Sequence, residues 1–307
     1  MQPTFEERQG RIARNALRLA RAARWHLKGL LGSPRTLLVE LNWRLGDEIM
    51  ALPVFEALQA RYPGVAIDVS SNYPELFEHY PAVRAVNPPR PDPDGYLLLR
   101  GASRLENRLE AGCARAGVPV PDVHPRLHFS DWDAPQLSRI PEGGGPLIAI
   151  APGASWPSKR WPVERWLALT AQLEGERCRV VVLGQQGEGL GCGLDLCGAT
   201  SVREAACVLH AADLAVCCDS GLMHLALAAG TRTVALFGPT DPDFLVRDEP
   251  LLTALRSTQS CSGFWNHAPT VGEPGVCPEG HACCLDSITV AQVLGVIRAR
   301  IGMGGMG

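Results

Sequence analysis

Along the chain, short apolar runs alternate with longer amphipathic stretches, and loops rich in Gly, Pro and small polar residues separate them. Thr36–Leu41 (TLLVEL) has the length and apolar character of a buried parallel strand. After the loop Asn42–Asp47, a helix is expected from about Glu48 to Tyr62, where Pro63-Gly64 stops it. Val65–Ser70 and Tyr96–Leu99 read as further strands, the second preceded by the turn-rich Asn87–Gly95. A polar, Pro-rich passage over Val118–Pro146 then leads to a second half with the same alternation. There, strands are expected at Leu147–Ala151, Arg179–Leu183, Leu214–Cys218 and Thr233–Phe237. Helices are expected at Val163–Leu173, Val202–Ala212, Ser220–Ala229 and Thr289–Arg300. Repeated strand–helix units predict an α/β protein with parallel sheets. The expected architecture is two Rossmann-like domains, residues 35–140 and 141–307, facing a central crevice. The last helix is placed as one able to pack back on the first domain.

Residues 1–34 form a separate element, with an amphipathic helix expected over residues 5–31. Ile12, Ala16, Leu19, Ala23, Leu27 and Leu30 mark one face, basic residues recur on another, and Gly32-Ser33-Pro34 ends it. Eight basic side chains against Glu6 and Glu7 within residues 1–36 contrast with a net charge of −3 for the whole chain. Two readings stay open: contact with an anionic membrane surface, or packing on the protein with a solvated arginine face. The acidic remainder of the chain argues against nucleic acid as a partner.

The 307 residues, 46% hydrophobic and 20% charged, suffice for two modest cores. No apolar run reaches the roughly 18–20 residues of a membrane-spanning helix, and no secretory signal pattern opens the sequence. The expected compartment is the cytoplasm, with peripheral contact at the inner face of the cytoplasmic membrane as the alternative. Of eleven cysteines, Cys113, Cys178, Cys192, Cys197, Cys207, Cys217 and Cys218 lie in apolar stretches and read as small hydrophobes. Cys261, Cys277, Cys283 and Cys284 crowd one late segment with His267 and His281 nearby. Tetrahedral metal binding, a disulfide and packed thiols all remain open there, although paired C-x-x-C knuckles are absent.

Four loops at expected strand ends carry the candidate chemistry. In Leu45-Gly46-Asp47-Glu48, Asp47 is either a reactive acid at a strand end or a helix N-cap. In Ala151–Pro162, small residues let backbone N–H groups approach an anion, while Ser155 and Lys159 add a hydroxyl and a mobile charge. The bland alternative is a solvated surface loop. In Cys218–His224, Asp219 ends a strand, Ser220 can cap the next helix, and Gly221 leaves its first amides open. His224 follows one turn in, placed for a ligand or as a satisfied core histidine. The fourth loop, Phe237–Pro242, offers Thr240. Asp92-Pro93-Asp94 and Asp241-Pro242-Asp243 imitate a metal-binding Asp-x-Asp pair, but their prolines suit turns, so no catalytic metal is expected. A dinucleotide fingerprint and a P-loop are both absent.

Taken in order, LGDEIMALPVFEALQARYPGVAID, APGASWPSKRWPVERW and CDSGLMHLALAAGTRTVALFGPTDP resemble glycosyltransferase family 9, from about Arg35 to Arg300. That family includes the ADP-heptose heptosyltransferases of lipopolysaccharide core assembly. The resemblance implies a GT-B fold and an inverting, metal-independent transfer without a cofactor. The donor would be a nucleotide diphosphate sugar, ADP-heptose favoured, and the acceptor a lipopolysaccharide-core or other envelope glycan or lipid-linked glycan. It implies Asp47 as general base, Lys159 on the donor diphosphate, Asp219 on sugar hydroxyls and the Ser220-Gly221 amides on the phosphates. His224 completes that motif, and Ser155, Gln186 and Thr240 complete the expected donor site. Departures from the family pattern are Glu40 in place of an arginine, the bulky Trp43-Arg44, and Gln185-Gln186, with Glu188 slightly later, where a glutamate is usual. The N-terminal half is also short. A relative using a different nucleotide sugar is the alternative; a non-catalytic binding module would have no use for Asp47.

Overall fold

The computed structural model describes residues 34–89, 93–99, 107–130, 139–140, 142–246, 248–267 and 284–302. The helix expected over residues 5–31 therefore lies outside the described residues, as do Cys277, His281 and Cys283.

Strand β1 (Thr36–Glu40) leads into two short helices, α1 (Leu45–Met50) and α2 (Leu52–Arg61). The sequence pattern had indicated one helix from Glu48. It begins earlier and breaks at Ala51, because Pro53 in the first turn of α2 has no N–H to continue the ladder. Strands β2 (Ala66–Ser70), β3 (Val83–Val86) and β4 (Gly95–Leu98) complete a parallel sheet in the order β3-β2-β1-β4. Helix α3 (Arg108–Ala116) covers it together with α2, around Phe55, Phe77 and Tyr80, which meet edge to face. Asn107 caps α3 by accepting from the Leu109 and Glu110 amides, and Gly117 ends it in the left-handed conformation.

The second sheet contains β5 (Leu147–Ala151), β6 (Arg179–Val182), β7 (Leu194–Asp195), β8 (Leu214–Cys218), β9 (Thr233–Phe237) and β10 (Leu252–Arg256). Its order is β10-β9-β8-β5-β6-β7, with parallel pairing throughout. Strands β5, β8 and β9 are buried along their whole length, as a parallel sheet covered on both faces requires. The helices are α4 (Val163–Gly175), α5 (Val202–Ala211), α6 (Gly221–Ala228), α7 (Pro242–Leu245), α8 (Phe264–His267) and α9 (Val290–Ile301). Capping boxes start α5 (Ser201 with Glu204) and α9 (Thr289 with Gln292). Helix α9 stays on its own half, packed on α4 and on β8 and β9, rather than returning to the first domain. The Trp161 indole N–H fixes its approach by donating to the Ile288 carbonyl at 2.9 Å.

Both sheets place their first strand between neighbours reached in opposite directions. Such switch points fall at the carboxyl ends of β1 and β4 in one half and of β5 and β8 in the other, where ligands of open α/β sheets bind. Helices α1 and α6 bring the two points together: a Cβ on Gly46 would stand 2.8 Å from His224 Cδ2, and one on Gly221 3.2 Å from Leu45. Only residues without a side chain allow that approach.

Candidate active site

A cleft of about 340 Å³ opens between the two switch points. Asp47, Ser155, Lys159, Asp219, Ser220, Gly221, His224 and Thr240 all line it. Gln186 stands apart, in an adjoining cavity of about 770 Å³ that shares Gly46, Ser155, Ser220 and Gly221 with the cleft.

Asp47 projects from the first turn of α1. It is not the helix cap: that position is Arg44, with no side-chain bond. Its Oδ1 accepts from Arg108 Nε at 2.7 Å, and the Arg108 guanidinium lies 4.5 Å from the centroid of the Trp43 ring. The neighbouring Glu48 points inward, fully buried, and holds the loop. Its carboxylate accepts from the Trp43 amide at 2.8 Å, the Asn72 amide at 3.2 Å and the Ser71 hydroxyl. Burial nonetheless pushes the Glu48 carboxyl above the ordinary range, and Asp47 beside it adds to the rise against those three donors.

Across the cleft, Lys159 closes a one-turn helix after β5, and its Nζ meets Asp219 Oδ2 at 2.5 Å and the Trp156 ring at 4.4 Å. Thr240 Oγ1 donates to the same carboxylate oxygen at 2.5 Å. Burial alone would raise Asp219. Lys159, the Thr240 hydroxyl and His224 outweigh it and hold the carboxyl below its ordinary value, so it is an anion. Burial holds the His224 imidazole below its ordinary value, with Asp219 and Asp47 opposing the shift and Lys159 adding to it. This histidine is thus neutral at neutral pH.

Ser220 occupies the N-cap position of α6 but makes no capping bond. Its Oγ is buried with no hydrogen-bond partner among the described residues, at the positive end of a helix whose first turn lines the cleft. A buried hydroxyl without a partner costs about 1–3 kcal/mol, which an anion's oxygen at that point would relieve.

Glu188 follows Gln185-Gln186 on the loop after β6. Its carboxylate reaches into the larger cavity over Gly153, where a Cβ would stand 2.1 Å from it, and its Oε2 accepts from the Gln185 amide at 2.8 Å. Arg108 was missed altogether. The signal available was Asn107 as cap and Gly117 as stop, which mark a helix whose first residue is Arg108.

Asp241 and Asp243 do not form an open acidic pair: Asp241 caps α7, and both ion-pair with Arg256. Cys113, Cys178, Cys207, Cys217 and Cys218 are buried, and Cys197 packs half-buried against the second core as a small hydrophobe; Cys192 is half-exposed on the loop before β7. Of the late cysteines, Cys277 and Cys283 lie outside the described residues, Cys284 is buried and Cys261 half-buried.

A family model described as glycosyltransferase family 9 (heptosyltransferase) matches residues 104–270. Lipopolysaccharide heptosyltransferase 2 of Escherichia coli (strain K12) is 31% identical over 203 residues, which is 60% of this chain and 56% of that protein. The chain thus spans little more than half the length of the curated relatives it matches. The structure of E. coli ADP-heptose lps heptosyltransferase II superposes with a TM-score of 0.69 at 22% identity, over 89% of this chain and 100% of that one. The iron-containing dodecameric glycosyltransferase TibC of enterotoxigenic E. coli gives 0.71 at 19%, over 88% and 77%. These likenesses carry the fold: two facing parallel α/β layers, the GT-B arrangement expected from the sequence.

Proposed function

The chain belongs to glycosyltransferase family 9, and from that premise we propose that it transfers a sugar from a nucleotide diphosphate donor to a glycan of the cell envelope. ADP-heptose is the favoured donor and a lipopolysaccharide-core glycan the favoured acceptor. The observation that carries this reading is the convergence on one cleft of Asp47 from one half with Lys159, Asp219 and Ser220 from the other.

The reaction is a single inverting displacement. Asp47 Oδ2, which has no hydrogen-bond partner among the described residues, takes the proton of the acceptor hydroxyl as its oxygen attacks the anomeric carbon. The bond from that carbon to the diphosphate breaks, and its electron pair leaves with the nucleotide. Lys159, the Ser220 hydroxyl and the first amides of α6 meet the charge that gathers on the departing oxygen, without a metal. Asp219 stays an anion and accepts hydrogen bonds from sugar hydroxyls, while Thr240 keeps it in place. The nucleoside occupies the larger cavity, where Glu188, Gln185 and Gln186 offer polar partners.

The donor is tested by calorimetric titration with ADP-, GDP- and UDP-sugars, followed by transfer with the tightest binder. Selective binding of ADP-heptose is expected. Tighter binding of a GDP- or UDP-sugar would replace the heptose assignment, and binding of none would remove the donor reading.

A further inference from the structure

Asn107 and Arg108 are adjacent, yet their side chains reach different halves of the molecule. The Asn107 carbonyl oxygen caps α3, accepting from Leu109 and Glu110, while its amide nitrogen donates to the Phe244 carbonyl at 2.8 Å. Phe244 belongs to α7 of the second half and lines the cleft. Arg108 turns instead to the first half and holds Asp47. Its guanidinium also lies over Trp43, whose amide is fixed by Glu48 and whose carbonyl accepts from Asn72 Nδ2 at 2.9 Å. The side chains of Arg108 and Asp47 are only 22% and 13% exposed, so solvent screens the pair weakly.

We propose that Asn107 and Arg108 form a clamp across the crevice that positions Asp47, coupling the aim of the base to the docking of the second half on α3; this rests on Asp47 being the general base. Three features support the coupling. Helix α3 packs on α1 and α2, so its first turn moves with the first half. One amide side chain both starts that turn and grips α7. And Arg108 Nε engages Oδ1 of Asp47, which leaves Oδ2 for an acceptor while restraining rotation of the side chain. Arg108 is a positioning residue in this scheme. It touches the base, not the substrate.

Two variants separate the clamp from ordinary structural roles. Asn107→Asp keeps an oxygen to cap α3 but loses the donor to Phe244. Arg108→Met keeps an aliphatic stem over Trp43 but loses the donors to Asp47. Transfer is measured with the nucleotide sugar chosen by the donor titration, beside Asp47→Asn and with melting curves of each full chain. The clamp predicts kcat lower by about tenfold for Asn107→Asp and about 100-fold for Arg108→Met, with donor KM unchanged and each chain still folded at the assay temperature. Arg108→Lys should recover part of the loss. Adding Asn107→Asp to Arg108→Met should cost little more, since both act through one carboxylate. Wild-type kcat in both variants, with Asp47→Asn inactive, would overturn the clamp and leave the base standing. A loss explained by raised KM, or by unfolding at the assay temperature, would also overturn it. An active Asp47→Asn would remove both readings together.

Discussion

Lys159 and Asp219 occupy a site where either charge alone would be costly. The aspartate side chain is 5% exposed and the lysine 13%, and the pair is completed by Thr240. Replacing Lys159 with Met keeps the bulk but leaves an uncompensated anion, which costs about 3–5 kcal/mol in comparable buried pairs. Denaturant unfolding at neutral pH should show a loss of that order. Because the folded value of Asp219 is depressed, its contribution is present above the ordinary 3.8 and is lost as pH falls through the lower folded value. His224 acts at milder acidity. Its folded value lies below 6.5, so beneath that pH the unfolded chain takes a proton the folded chain refuses. Stability therefore falls as pH drops from 6.5 toward the folded value. Melting curves between about pH 7 and pH 5 should show this slope, and His224→Gln should flatten it.

At the scale of elements, the meeting of α1 and α6 sets the width of the cleft. Gly46→Ala would place a methyl 2.8 Å from the ring of His224, which is too buried to swing away freely. We expect it to push the halves apart and lower kcat about 100-fold, the scale of an ångström misplacement of reacting groups, while nucleotide affinity for the second half persists. Steady-state kinetics with calorimetric ADP binding checks both parts. The elements legible in the sequence were those with a strong apolar signal: β1, β5, β8 and β9 are nearly or wholly buried. Those missed lie at edges or carry mixed faces. Strands β3 (VRAV) and β10 (LTALR) are half-exposed, and α3 carries charge along RLEAGCARA. The loops that bring Ser155, Lys159, Asp219, Ser220 and Thr240 to one cleft were readable because each motif sits within a few residues of a strand end. Asp47–Arg108 joins positions 61 residues apart, and no local periodicity encodes such a pair.

On the scale of the whole molecule, the two sheets repeat one plan. The order β3-β2-β1-β4 recurs as β7-β6-β5-β8, with β9 and β10 added beyond. The same two arms therefore supply chemistry in each half: Asp47 and Arg108 after β1 and β4, and Lys159 and Asp219 after β5 and β8. In the proposed reaction, one half presents the proton acceptor Asp47, and the other presents Asp219 and Lys159 to the sugar diphosphate. That division makes Asp47→Asn the most direct test of the account, with transfer and donor binding measured on the same preparation. The substitution should lower turnover at least about 100-fold with donor affinity unchanged. Turnover near the wild-type rate would contradict it.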